Sequence, residues 1–286
     1  MKIKLLVFFL SLFIAQNCNS QRTEDYQQNR TKGNGQITRE LRQVSAYTGI
    51  SQKSIIDVVL TDGKVGDVTV EAELDLIDFV DVQTINGTLQ IGFKKKENIG
   101  NMKEITVYVP VDDNLRKIVS SGTGNITSKK DLKGAELSVI SGGTGNVTLK
   151  NVNIKNFGAL NQGTGNLKIG NINSAELKLD FSGTGNFLTE TLTADETKIS
   201  ISGTGNANFK GKTDNLKIIN SGTGSVNARN LTADHAQVWA SGTGSVYVNA
   251  QKTLSVDVGG TSNVYYTGSA AITEIRTTGL GKIKKL

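Results

Sequence analysis

Cysteine, proline and histidine each occur once in this chain of 286 residues, at Cys18, Pro110 and His235. A single thiol excludes an intrachain disulfide, so the fold must rest on packing and backbone hydrogen bonds. A lone histidine without cysteine partners makes no zinc site, and neither a metal nor a cofactor is expected. Aromatic residues make up 6% of the chain. No apolar run reaches the roughly 20 residues that a membrane-spanning helix needs. Basic residues exceed acidic ones by 32 to 26, and the excess is scattered. Nucleic-acid binding would need a basic stripe interleaved with aromatics, so it is not expected.

The first residues carry an export signal. Lys2 and Lys4 precede an apolar run from Leu5 to Ala15, followed by Cys18, Asn19, Ser20 and Gln21. That is the layout of a secretory signal peptide over residues 1–20. Its removal leaves 30 basic against 26 acidic residues, a net charge of +4. Cys18 is a candidate lipidation site, although Asn17 stands where lipoproteins place a small residue; cleavage after Ser20 is the other option. The expected location is outside the cell or in its envelope, at the periplasm or outer-membrane surface, with a lipid anchor if Cys18 is retained. Residues 21–36 carry charge and amides with few apolar groups, and read as a flexible linker.

Glycine is plentiful, at 32 residues, and it is ordered. Ser-Gly-Thr-Gly-Asn and its variants recur with the first glycine at 122, 143, 163, 183, 203, 222, 242, 260 and 279. A fixed period of about 20 residues marks a solenoid whose coils stack on one another. Four residues after each glycine, and four before it, every position is apolar, from Ile118 and Ile126 to Ile275 and Ile283. Such columns point inward, each coil adding one side chain to a continuous core. Alternation around Leu177, Leu179 and Phe181 is the period of a strand. The expected fold is all-β: a right-handed parallel β-helix of about nine coils over residues 118–286, a rod roughly 40 Å long.

Residues 37–117 read as a β-rich segment capping the first coils and burying Val119, Ile140 and Leu160. Expected strands are 54–60, 67–72, 88–93 and 104–109, with Asn86-Gly87 as a hairpin turn. Residues 74–82 suit a short helix or a strand, and Pro110 should end a strand.

Two polar columns accompany the glycines: Thr123, Thr144, Thr164, Thr184 and Thr204, and Asn125, Asn146, Asn166, Asn186 and Asn206. They are expected to form hydrogen-bonded ladders up the stack, with a repetitive ligand surface as the competing reading. The aromatic residues Trp239, Tyr247 and Tyr265 fall in outward columns and are the candidate binding residues, since aromatic faces stack on sugar rings or protein side chains.

The signal peptide, the irregular β entry, the Asn-Leu-Arg-Lys-Ile-Val stretch at 114–119 and the Ser-Gly-Thr-Gly-Asn coils together resemble the putative auto-transporter adhesin, head GIN domain family, over about residues 40–286. The resemblance implies an exported β-helical domain with an adhesive role, and brings no catalytic residues with it.

Catalysis finds little support. Acidic residues such as Glu176, Asp195 and Asp234 fall in different columns; Glu176 and Glu196 could stack one coil apart, but read as solvated edge charges. His235, beside Asp234 in a presumed loop, lacks a nucleophile elbow, and no helix follows the Gly-x-Gly motif as a nucleotide site requires. The chain reads as a non-catalytic surface adhesin or matrix scaffold whose partner is a surface polymer, glycan or protein. A carbohydrate-binding or carbohydrate-active module is the alternative, and an ice- or mineral-binding face is a third.

Overall fold

The computed structural model describes residues 32–94 and 102–286. The expected signal peptide, Cys18 and residues 21–31 of the expected linker lie outside this description.

Among the described residues the chain is nearly all β. In order, the strands are β1 (Ile37–Gln43), β2 (Gly49–Gln52), β3 (Asp57–Thr61), β4 (Asp67–Glu73), β5 (Val80–Ile85), β6 (Thr88–Phe93), β7 (Thr106–Pro110), β8 (Lys117–Ser120) and β9 (Ile126–Ser128). Long strands follow: β10 (Asp131–Ser141), β11 (Val147–Asn161), β12 (Leu167–Phe181), β13 (Phe187–Ile201), β14 (Ala207–Asn220), β15 (Val226–Ala240) and β16 (Val246–Val258). The last are β17 (Val264–Thr267), β18 (Ala271–Thr277) and β19 (Ile283–Lys285).

From β10 onward each long strand lies parallel to the one before, with the glycine columns as register. Leu167 pairs with Val147 and with Phe187, and Leu179 with Ala159 and Ile199. The result is a β-solenoid of about eight turns. The ninth glycine corner, at Gly279, leads only into the three-residue β19. In β12 the inward–outward alternation slips twice, at Gly170-Asn171 and at Ala175-Glu176, where two successive side chains face away from the core. Those slips are corners. With the glycine corner they give each coil three faces.

Sixteen of the eighteen apolar column positions are buried. The exceptions are Ile275, 50% exposed, and the partly exposed Ile283. Both belong to the final coil, on which no further coil packs among the described residues. Within the core Phe187 touches Phe181 and Phe209, with ring centroids 5.4 and 5.2 Å apart.

The glycine corners are decided by close approach. A Cβ on Gly163 would sit 2.0 Å from the Gly143 carbonyl oxygen, and one on Gly165 equally close to that of Gly145. Neither glycine has a positive φ, so the corner needs the missing side chain and not a left-handed backbone. Buried Asn161 holds the corner from inside: its Nδ2 donates to the Gly165 carbonyl at 2.9 Å and its Oδ1 accepts from the Gly163 amide at 3.2 Å. Asn220 repeats this arrangement at the corner of Gly222 and Gly224.

The N-terminal segment differs from expectation. β2 and β3 pair in parallel with β8 and β9, and the Thr123 amide donates to the Ser54 carbonyl as later corners donate to one another. The stack therefore reaches back to Gly49, well before residue 118. On the other edge of β2 and β3 lie β6 and β7, so the spatial order of these coils departs from the chain order. The end is then sealed by antiparallel strands, β5 on β6, and β4 with β1 on β7. The segment adds to the end of the stack because open strand edges carry unpaired amides and carbonyls that must be satisfied. It does not lie over the side. Ile140 and Leu160 remain half-buried around an open hollow of about 240 Å³, lined by residues of β10, β11 and β12, and Val119 is likewise half-buried.

Local expectations fare as follows. Residues 77–79 form a single 3₁₀ turn leading into β5. Asn86 and Gly87, at φ 49° and 71°, make the β5–β6 hairpin turn. Pro110 ends β7, and its carbonyl accepts from the buried Tyr47 hydroxyl at 2.6 Å; burial pushes the Tyr47 phenol above its ordinary range.

Candidate functional site

The face that precedes each glycine corner carries an open concavity. In β12 the chain turns at Glu176, buries Leu177, exposes Lys178 and buries Leu179. Register repeats this on each coil. Glu176 pairs with Asn156 and Glu196, and Glu196 with Asn215, which in turn pairs with His235. Two residues on, Lys178 pairs with Gly158 and Lys198, and Lys198 with Lys217. One wall thus carries Glu176 and Glu196 among neutral residues, and the other carries Lys178, Lys198 and Lys217.

Between them lies an open concavity of about 760 Å³ reaching from Glu136 to Lys217. A second, of about 300 Å³, shares Glu196 and Lys217 with it and continues past His235 and Gln237 to Thr273. Together they form one furrow along the solenoid axis, from β10 to β18. Gly158 widens it, since nothing lies within 4 Å of where its Cβ would be.

The charges in the furrow do not neutralise one another. Adjacent strands are about 4.8 Å apart, so register partners of like charge stand close together, an arrangement that costs stability. Among the described residues no ion pair joins the glutamate wall to the lysine wall. Glu196 accepts a hydrogen bond from Asn215 Nδ2 at 2.9 Å. Lys178 turns outward to Asp180 at 3.2 Å. Lys217 places its Nζ 4.7 Å from the centre of the Trp239 ring, a cation–π contact.

Of the candidate aromatics, Tyr247 and Tyr265 stack with ring centroids 4.9 Å apart at 15°, being register partners in β16 and β17. Trp239, 37% exposed, stands before the Gly242 corner while the tyrosines follow it, so they occupy different faces. Trp239 instead borders the furrow through Lys217.

The asparagines at the corners are joined coil to coil. Asn125 Oδ1 accepts from the Asn146 amide at 3.0 Å and side chain at 3.3 Å, and Asn146 does the same for Asn166. The chain of bonds begins at Asp57, whose Oδ1 accepts from the Asn125 amide at 2.7 Å, and passes through Asn206 to Ser225. The threonines are different. Thr123, Thr144, Thr164, Thr184 and Thr204 are exposed, and among the described residues their hydroxyls join no ladder. Only their backbone takes part, as when the Thr144 amide donates to the Gly122 carbonyl at 3.1 Å. The interveaning glycines set the backbone of each corner so that the threonine side chain leaves the stack.

His235 lies within β15 and not in a loop. Its Nδ1 meets Thr253 Oγ1 at 2.7 Å. The neighbouring Asp234 is held by Lys252 at 2.7 Å, which keeps its carboxyl below the ordinary range. Among the described residues no histidine–carboxylate pair is formed. A second polar ladder escaped the sequence reading: Asn171 donates to Asn151 at 2.9 Å and Asn151 to Asp131 at 2.8 Å. Its signal was present as three residues at 20-residue spacing. The furrow walls were also visible, as Glu-Leu-Lys at 176–178, Glu-Thr-Lys at 196–198 and Asn-Leu-Lys at 215–217.

The fold and its furrow define the class: a parallel β-solenoid with a continuous outer surface of repeated polar columns. The family model described as putative auto-transporter adhesin, head GIN domain, matches residues 46–209 and 152–270, and the chain belongs to this family. The two matches overlap because repeated coils align in more than one register. Among solved structures the chain is similar to a putative adhesin from Parabacteroides distasonis, at 23% identity and a TM-score of 0.65, covering 90% of this chain and 100% of that one. It is also similar to a putative adhesin from Parabacteroides merdae, at 20% identity and a TM-score of 0.63, covering 90% and 99%. A third is described as a putative lipid binding protein from Parabacteroides distasonis, at 18% identity and a TM-score of 0.61, covering 90% and 99%. At these identities the likeness concerns the fold. No curated protein matches the chain.

Proposed function

We propose that this protein is a non-catalytic adhesive rod, exported and displayed at the cell surface or in its surrounding matrix, which holds an extended partner along its furrow. The observation that carries this reading is the continuity of the furrow from β10 to β18. A site built by repeating the same outward positions on successive coils suits a linear, repetitive partner better than a compact substrate. The family supports adhesion, and the signal-like layout of the first residues supports export.

Two other readings are weaker. Glu176 and Glu196 are register partners in a groove, the feature that a carbohydrate-active module would need. Both stand exposed on the same wall, however, whereas an acid–base pair needs two carboxyls in different environments. Lipid binding, the description of one structural neighbour, would need an enclosed apolar cavity, and this furrow is open and charged.

The test is to fill the furrow. Gly158→Trp places a large ring where nothing lies within 4 Å. Wild-type protein should attach to cells or to polymer-coated surfaces without releasing reducing ends; the variant should melt as wild type does and lose attachment. Unchanged attachment by a folded variant would remove the furrow from the function, and release of sugar by wild type would restore the enzymatic reading.

A further inference from the structure

The chemistry of the two walls narrows the partner further, on the reading that the furrow is the adhesive site. We propose that it binds a linear acidic polysaccharide: Lys178, Lys198 and Lys217 take the carboxylates, while Glu176, Glu196 and Asn215 take the sugar hydroxyls. The three lysines follow one another in register on β12, β13 and β14, at about the 4.8 Å interstrand spacing. None is paired with the opposite wall: Lys178 meets Asp180 at 3.2 Å and Lys217 the Trp239 ring at 4.7 Å, so an anion in the furrow competes with one surface ion pair, of a kind that contributes little, and one cation–π contact. Carboxylates and a side-chain amide accept hydrogen bonds from hydroxyls, which gives the acidic wall a role that a ligand of charge alone would not use.

Other polymers fit less well. A nucleic acid presents phosphate along its whole length, and the glutamate wall would repel it. A peptide adding as a strand needs a free sheet edge, but here the strands run across the furrow and their backbone groups are spent in the ladder. A neutral glycan would want an aromatic platform, whereas the floor is formed by Leu137, Phe157, Leu177 and Thr197, which are buried. Trp239 lies beside the furrow with its face occupied by Lys217.

The experiment measures binding of the purified protein to polygalacturonate, with dextran as the neutral control. Binding to polygalacturonate should weaken as salt rises, because exposed charges are screened. A triple variant, K178Q/K198Q/K217Q, should lose roughly tenfold or more in affinity, in line with loss of several charge contacts, while melting unchanged. A second variant, K282Q/K284Q/K285Q, removes three lysines at the far end of the chain and should bind as wild type. Equal binding by the furrow variant, equal loss in both variants, or a preference for dextran would each overturn the proposal. Cell attachment is measured in parallel. Attachment by wild type without polygalacturonate binding would overturn the ligand class and leave the adhesive reading intact. Absence of attachment to any surface would defeat the adhesive reading itself.

Discussion

Single residues in this protein are selected by what stands directly beneath them in the stack. Glycine at the corner is the plainest case, since the previous coil's carbonyl oxygen occupies the space of a side chain. Gly163→Ala should therefore destabilise by roughly 3 kcal/mol, through overpacking against backbone that cannot yield. Gly158→Ala, facing the open furrow, should change stability by less than about 0.5 kcal/mol. Thermal melting of the two variants separates them, at about 2–4 °C per kcal/mol for a chain of this size. Equal losses would mean that glycine matters here for chain flexibility and not for contact. Ser141 shows the opposite situation: among the described residues its buried hydroxyl has no hydrogen-bond partner, and it sits in the column that asparagine fills one coil later.

At the scale of an element, the corner ladder stabilises each coil by bonding it to the next, and its first member differs from the rest. Asp57 occupies the place of the asparagines, and its carboxyl, by accepting from the protonated form of Glu104 and repelling the charged form, holds Glu104 above its ordinary value of 4.5. A carboxyl that binds its proton more tightly when folded stabilises the fold at low pH. The contribution is complete below the unfolded value and disappears as pH rises through the higher folded one. Asp57→Asn keeps an oxygen to accept from the Asn125 amide and removes the repulsion. The variant should be at least as stable as wild type at neutral pH, and the decline in melting temperature as pH rises past the ordinary Glu104 value of 4.5 should flatten. A variant that melts lower at neutral pH would show that the charge of Asp57 strengthens the ladder more than Glu104 opposes it.

For the whole molecule, the two ends are unlike. The N-terminal end changes from parallel to antiparallel pairing and finishes in β1 and β5. Arg39, Glu40 and Arg42 punctuate β1, a device that discourages further strands from adding. Deleting residues 32–116 would remove β1 to β7 together and uncover Ile118 and Ile126 along with the edges of β8 and β9. The truncated chain should aggregate, as seen by light scattering or gel filtration. A soluble, folded monomer would mean that β8 and β9 can end the stack unaided.

The sequence by itself determined the repeat, its period and the inward columns, because a solenoid writes each structural position once per coil and the eye can average over coils. It also carried the Asn86-Gly87 turn and the stop at Pro110, whose causes are local. The course of residues 37–117 was decided only in three dimensions: β2 and β3 lie between β6–β7 and β8–β9, an order that no local pattern encodes. The furrow was decided there too. Glu176 and Glu196 read as solvated edge charges, and become one wall of a furrow only when register sets Lys178, Lys198 and Lys217 opposite them. The same geometry parted Trp239 from the tyrosines, since a corner between neighbouring residues in sequence turns their side chains to different faces.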